Sequence, residues 1–452
     1  MNKRNVIKFG GVSLKNYKRV KNTAKIIENN INNDLVVVIS AIGNSTNELI
    51  KAGKQAKKGI IDIKEIKSIH IKICNYLNIN FDDLIPLLKK LEKELNLIKE
   101  NKKLTKKDLD LLMSFGERLS VIVLSNYLNK LNINSKAFNS WEIGLTTDSQ
   151  FGSSEILETS KKNINKKVNK ILSKNIIPII TGFIGKDNND NITTLGRGGS
   201  DLSASYIANS INADQIILWK DVKGILSSNP TLVKNTKKIN NISFKEASEM
   251  AYYGAEVLHP QALFPAIDKD IEVKIKNFLD PESKGTIITN NIDNKSQIKT
   301  ISYQKNITMV HIESRRMLGH YGFLAKVFEI FDELKISVDM ISTSEVSISL
   351  TLDNSHDLIE LKEKLSHFAI VTIFENQSIV SLIGNTKKSS AIFKDTFDVL
   401  EKENIDIKMI SYGASNVNIG FIIDSKCLEK TVNYLHRKLI LENLNKGDIK
   451  IC

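Results

Sequence analysis

Short apolar runs alternate with charged, amphipathic stretches along the first two thirds of the chain. The runs VIKFGG, LVVVISAIG, IIPIITGFIG and QIILWKDV read as strands, and their nearly continuous apolar character predicts burial on both faces. Between them, Leu14 to Asn29, residues 48–130 and Leu202 to Ile211 carry helical spacing. This alternation predicts an α/β fold, a mainly parallel sheet sandwiched by helices. In such sheets ligands bind beyond the carboxyl ends of the strands, where this chain gathers its glycines.

From about residue 300 the rhythm changes. NITMVHIES (strand), Gly322 to Leu334 (helix), ISVDMIST and VSISLTLD (strands), Leu358 to Leu365 (helix) and AIVTIFE (strand) give the order β-α-β-β-α-β. SIVSLIGN, Ser389 to Glu403, IDIKMISYG, VNIGFIID, Leu428 to Leu439 and DIKIC repeat it. A duplicated unit of ~75 residues predicts two small βαββαβ modules, with one continuous α+β domain as the weaker alternative. The expected domains are 1–295, 300–376 and 377–452, the last strand completing either the second module or the first.

The length of 452 residues agrees with several domains, since one core rarely serves so long a chain. The formal charge of +13 raises the question of a nucleic-acid partner. Lysines are spread throughout with no aromatic-interleaved stripe, so runs such as Lys102-Lys103 and Lys106-Lys107 read as solvated helix faces and no nucleic-acid partner is expected. No apolar run reaches the roughly 18 residues a membrane helix needs, and the N-terminus lacks the pattern of a signal peptide. Cys74, Cys427 and Cys452 are widely spaced with no CxxC, which predicts neither disulfides nor a zinc site and suits a reducing cytoplasm.

Six motifs carry candidate chemistry. Lys8-Phe9-Gly10-Gly11-Val12-Ser13 ends the first strand; paired glycines let backbone N–H groups approach a phosphate, with Lys8 within reach. A tight structural turn would explain the same glycines. Gly196-Arg197-Gly198-Gly199-Ser200-Asp201 is a second anion-handling loop before a helix; Arg197 suits a carboxylate, while Asp201 equally suits a helix N-cap. Ser114-Phe115-Gly116-Glu117-Arg118 is read at a helix start, where Glu117 would take an ammonium group or complement the helix dipole. Ser40 to Asn47 forms a polar loop after a strand, and Trp219 to Ile225 a strand end with a turn. In Gly254 to Pro260, His259 on an apolar segment reads as a packed histidine rather than a ligand.

Taken together, in this order and spacing, these motifs resemble the aspartate kinase branch of the amino acid kinase family. GFLAKVFEI, ISVDMISTSEVSISLTL, VSLIGN and KMISYGASNVNIGF resemble the paired ACT domains of the lysine-sensitive, monofunctional enzymes. No dehydrogenase domain is read after Cys452, so the monofunctional form is expected.

The resemblance implies transfer of the γ-phosphoryl group of ATP to the side-chain carboxylate of L-aspartate, giving 4-phospho-L-aspartate. That is the first step toward lysine, threonine, methionine and diaminopimelate. Such transfer needs positioning and charge neutralisation, and a carboxylate acceptor needs no general base. By the resemblance, Lys8, Gly10, Gly11 and Asp201 are catalytic, and Lys8, Phe9, Gly10, Gly11, Ser13, Lys220, Asp221, Leu226 and Glu256 line the ATP site. Ser40, Thr46, Glu117, Phe183, Arg197 and Ser200 would hold aspartate, Arg197 at its α-carboxylate and Glu117 at its ammonium. No protein metal site is expected; Mg2+ would be held mainly by the nucleotide. Departures from the family pattern cluster around ATP. Val12 and Lys220 stand where Thr is usual, Leu226 where Tyr is usual, Asn229-Pro230-Thr231 for DPR, and Glu256 for Lys. Two readings follow: an eroded kinase kept as a lysine-sensing protein, or a rearranged site in which Lys220 supplies the missing cation.

A lysine effector needs carboxylates for its ammonium groups and donors for its carboxylate. The resemblance assigns Met317, His320, Gly322, Phe323, Leu324, Val338, Asp339, Ser344 and Glu345 to that site, with His320 where Ser is usual. Asp339 and Glu345 are read as flanking a strand-to-strand turn, and ordinary turn residues would look the same. The modules are expected to pair in a homodimer, possibly a tetramer, that effector binding shifts between active and inactive arrangements.

Overall fold

The computed structural model describes residues 3–32, 34–253, 258–290, 298–314, 317, 321–353, 358–387, 389–413 and 416–443. The chain forms two compact units. The first comprises Met1–Ile225, Asn240–Phe244 and Val257–Ile292, and the second Leu226–Ile239, Lys245–Glu256 and Asp293–Cys452.

The first unit runs β1 (Arg4–Phe9), α1 (Tyr17–Glu28), β2 (Asp34–Ile39), α2 (Ser45–Lys57), α3 (Lys64–Leu77), α4 (Ile85–Asn101) and α5 (Lys106–Lys130). It continues through β3 (Ser135–Phe138), α6 (Ser160–Leu172), β4 (Ile177–Thr181), β5 (Ile184–Lys186), β6 (Ile192–Thr194), α7 (Gly199–Ile211) and β7 (Gln215–Lys220). It closes with β8 (Asn241–Ile242), the first residue of α8 (Phe244–Tyr252), α9 (Phe264–Ile267), β9 (Glu272–Asn277) and β10 (Thr286–Ile288). Among the described residues an eight-stranded sheet has the order β3-β4-β2-β1-β7-β9-β10-β8. Its pairs are parallel except β9 with β10, so the mainly parallel sheet expected from the sequence is observed.

The central strands bury almost every residue, which is why they read as unbroken apolar runs. Ile7, Phe9, Leu35, Val37 and Ile39 enter one apolar cluster with residues of α1 to α5. By the two-residue alternation of a strand, Lys8 faces the other side, where α7 packs on β1, β2 and β7.

The second unit contains most of α8, then β11 (Ile298–Glu313), α10 (Phe323–Glu333), β12 (Ile341–Thr343), β13 (Ser347–Asp353), α11 (Leu358–Ser366) and β14 (Ile370–Gly384). It ends with α12 (Ser389–Lys402), β15 (Met409–Tyr412), β16 (Asn418–Asp424) and α13 (Leu428–His436). Its six described strands form one sheet, β12-β13-β11-β14-β16-β15.

Two details differ from the sequence reading. AIVTIFE and SIVSLIGN form one continuous strand, β14, which runs on through a left-handed residue between them, Asn376 at φ +55°. The opening strand also reaches back to Ile298, and its register shifts between Gln304 and Met309 split it in two. Its second half pairs with β13 and the start of β14, its first half with the end of β14. The first half thus supplies a strand to the second module, whose expected terminal strand DIKIC lies outside the described residues.

Candidate active site

Parallel register sets the centre of the site. Lys8 is aligned with Leu218, and Lys220 follows two residues later on the same face of the neighbouring strand. Asp201, in the first turn of α7, meets both. Its Oδ1 is 2.5 Å from Lys8 Nζ and its Oδ2 is 2.5 Å from Lys220 Nζ. The side chains of Lys8 and Asp201 are 8% and 5% exposed, whereas that of Lys220 is 20% exposed and so reaches further into the open. Burial alone would raise the Asp201 carboxyl, but the two ammonium groups hold it well below the usual carboxylate range. Burial pushes the Lys8 ammonium down, opposed by Asp201. The N-cap reading of Asp201 does not hold. Gly198 occupies that position with φ +76°, where a Cβ would also collide with His259.

The turn after β1 keeps this centre open. A Cβ on Gly11 would come within 2.9 Å of the Ala41 carbonyl oxygen, so glycine lets the turn lie against the loop after β2. At Gly10 a Cβ would stand 3.7 Å from Lys8 Nζ, so any longer side chain would begin to cover the ammonium.

Ser114 to Arg118 do not open a helix, which corrects the sequence reading. α5 starts at Lys106 behind a Thr105–Asp108 capping box, and this local chemistry sets the boundary well upstream. Glu117 therefore lies in the helix interior, too far from the N-terminus to complement a dipole. It is 3% exposed; Oε1 accepts from the Ala41 N–H at 3.1 Å, and Oε2 is buried with no partner among the described residues. Desolvation pushes its carboxyl up to about 8, against the Ala41 N–H and the charge of Lys8. A buried carboxylate with one vacant oxygen is suited to a substrate ammonium.

Neighbouring side chains converge on the same strand ends. Ser40 Oγ donates to Ser200 Oγ at 3.0 Å. Thr46 sits beside α5, where Gly116 allows close passage: a Cβ there would be 2.7 Å from Ala41 Cβ and 3.8 Å from Thr46 Oγ1. Phe183 holds φ +69°, a left-handed conformation costing on the order of 1–3 kcal/mol, and its N–H donates to Ser203 Oγ at 3.1 Å. Arg197 and Asp221 are exposed. Phe9 is fully buried against Trp219 and Phe278, and Ser13 is buried, so their side chains belong to the core. Leu226 falls in the second unit, and Glu256 lies outside the described residues. Among the described residues no group of three His, Cys, Asp or Glu could hold a metal ion. No described helix is long and apolar enough to cross a membrane.

A sequence profile of the amino acid kinase family matches residues 3–277, and one of the ACT domain matches 310–357 and 380–439. Aspartokinase 1, chloroplastic, of Arabidopsis thaliana is 41% identical over 96% of this chain and 79% of its own length. Lysine-sensitive aspartokinase 3 of Escherichia coli is 34% identical over 96% of this chain and 98% of its own. Escherichia coli aspartokinase III, solved with aspartate and ADP, superposes with a TM-score of 0.81 at 32% identity, covering 96% of this chain and 99% of that one. The chain belongs to the aspartokinases. It is an enzyme, an aspartate kinase, with an amino acid kinase domain followed by ACT domains.

Of the residues read as this aspartokinase's effector site, Met317, Phe323 and Val338 meet in the apolar cluster of the first module. Gly322, at φ +84°, caps α10, and Leu324 is exposed in its first turn. His320 lies outside the described residues. Asp339 stands ahead of β12 rather than at the turn; its N–H donates to the Thr351 carbonyl at 2.9 Å. Ser344 and Glu345 form the exposed β12–β13 turn, with Ser344 Oγ 2.8 Å from Ser347 Oγ.

Two residues were missed by the sequence reading. Asp110 is buried and accepts from the Gly152 N–H, the Thr194 N–H and Thr194 Oγ1 at 2.8–2.9 Å, tying α5 to β6. Its signal was present: Asp110, Ser114 and Glu117 recur at i, i+4 and i+7, a polar stripe on a buried helix face. Tyr252 donates to Asp339 Oδ1 at 2.8 Å, a pairing across 87 residues that no local pattern announces.

Proposed function

We propose that this aspartate kinase transfers the γ-phosphoryl group of ATP to the side-chain carboxylate of L-aspartate, with Mg2+ carried mainly by the nucleotide. The observation that supports this most directly is the buried Asp201 carboxylate holding Lys8 and Lys220 side by side, near the vacant oxygen of Glu117. The two ammonium groups would neutralise charge on the phosphoryl group, while Glu117 and Arg197 would orient aspartate by its ammonium and α-carboxylate. We read Ser40, Thr46, Phe183 and Ser200 as the wall of the amino-acid pocket. In this reading the product feeds lysine, threonine, methionine and diaminopimelate synthesis, and lysine inhibits through the first ACT domain of a homodimer. The Escherichia coli relative has been solved with lysine and aspartate, which supports lysine as the effector here. Placement in the cytoplasm rests on the sequence alone.

A coupled assay with ATP, Mg2+ and aspartate, with and without saturating lysine, tests the proposal. Aspartate-dependent ADP release that lysine suppresses is expected. Release that ignores lysine would remove the effector half, and no release at all would leave the lysine-sensing reading.

The raised carboxyl of Glu117 gives a pH signature. In the ligand-free enzyme it is protonated below about 8, yet gripping an ammonium requires its anion. Aspartate affinity is therefore expected to rise with pH from 6 to about 8, binding releasing a proton in that window. Glu117→Gln should weaken aspartate binding and flatten the profile. Titration calorimetry in buffers of different ionisation enthalpy checks the proton release. The same shift makes Glu117 lower stability as pH rises from its ordinary value of 4.5 toward about 8, since only the folded state holds the proton there.

A further inference from the structure

The helix α8 leaves the first unit after Phe244 and joins the second, and the chain returns to the first unit by Leu258. Within the second unit, three residues spaced at one helical turn anchor it. Glu246 Oε2 pairs with Lys299 Nζ of β11 at 2.8 Å, with both side chains buried. Glu249 Oε2 accepts from Asn418 Nδ2 of β16 at 2.9 Å. Tyr252 donates its hydroxyl to Asp339 Oδ1 at 2.8 Å. Next to it, buried Tyr253 packs among Ile307, Met309, Met340, Ile379, Met409 and Ile422.

These anchors differ in kind. Breaking the buried Glu246–Lys299 pair would leave a buried charge unpaired, so that end of α8 is fixed. Tyr252 is 46% exposed, and its bond to Asp339 is a neutral phenol on a carboxylate. An ammonium makes a stronger, charge-assisted bond to the same acceptor. The fastened end of α8 is thus the one an incoming cation can release.

We propose that Tyr252 is an effector-site residue acting as a latch: in the effector-free state it occupies Asp339, and an amino-acid effector's ammonium displaces it. This rests on the reading of lysine as effector and deepens it. The latch gives the effector a differential contact between two states, which any shift of population requires. The chain just beyond Tyr252 leads to His259, which packs against Gly198 at the head of α7, the helix that carries Asp201.

The test is Tyr252→Phe in the full-length enzyme, with lysine as the probe. Removing the hydroxyl removes the competitor for Asp339. The half-inhibitory lysine concentration and the calorimetric Kd should both fall about fivefold, the worth of one hydrogen bond. A residue that merely supported the pocket would shift both upward. Asp339→Asn should abolish lysine binding. Lysine binding by the wild type with an unchanged or weaker response in Tyr252→Phe would overturn the latch alone. No lysine binding by the wild type would overturn both the latch and the effector reading.

Discussion

Asp201→Asn is expected to lower kcat by about 100- to 1,000-fold, the range found when one preorganised charge-stabilising group is lost. Two effects combine. The amide keeps the shape of the carboxylate but loses the charge that holds Lys8 and Lys220, both 2.5 Å away, so neither ammonium keeps its place. It also leaves Lys8, 8% exposed, as a buried cation without its counter-ion. Removing one partner of a buried pair costs about 3–5 kcal/mol, so the first unit should also melt earlier. The pH dependence separates this from a packing defect. The folded-state carboxyl of Asp201 is depressed, so its stabilising contribution is present above its ordinary value of 3.8 and is lost as pH falls below it. The stability gap between wild type and Asp201→Asn should therefore be full at neutral pH and close in acid, as followed by denaturant unfolding at each pH. A gap independent of pH would mean that the ion triad does not hold the site, and near-normal kcat would remove Asp201 from the chemistry.

The triad also shows how far this site could be read from the sequence. Lys8, Arg197 and Asp201 sit beside glycines at the ends of apolar runs, a pattern visible locally. The meeting of Lys8 and Lys220 on Asp201 depends on β1 and β7 lying side by side, although 210 residues of chain separate Asn5 from its partner Gln215. Only the parallel register reveals that. Glu117 was legible as chemistry but not as position. A glycine and serine beside a glutamate imitate a helix start, while the Thr105–Asp108 capping box that sets the boundary lies further back. In the second unit the repeat was legible because each module carries its own alternation. The sharing of β11 between modules was not, because it depends on a register shift near Asn306, whose φ of +55° breaks the strand geometry. Tyr252 was invisible for the same reason as the triad: its partner is distant in sequence and close only in space.

Lys220→Thr is expected to lower kcat well over tenfold, more than about 1.4 kcal/mol of transition-state stabilisation. Threonine is the residue the aspartate kinase pattern usually carries here, so the change returns the position to the common form and removes a cation. In a site that did not depend on Lys220 it should be harmless. Here the geometry argues otherwise, since Lys220 shares Asp201 with Lys8 and is the more exposed of the two ammonium groups. The side chain is long enough to swing from the carboxylate to a phosphate while Asp201 stays neutralised by Lys8. The loss should fall mainly on kcat, because charge built up in transfer is felt more than charge present on binding. Stability should change little, since Lys8 still pairs with Asp201. Lys220→Arg should restore part of the rate, by keeping the charge with a different reach. Steady-state kinetics with ATP and aspartate varied separately give the split. A Lys220→Thr enzyme with unaltered kcat would refute the compensating-cation reading, and would leave Lys8 as the cation on which the phosphoryl group depends.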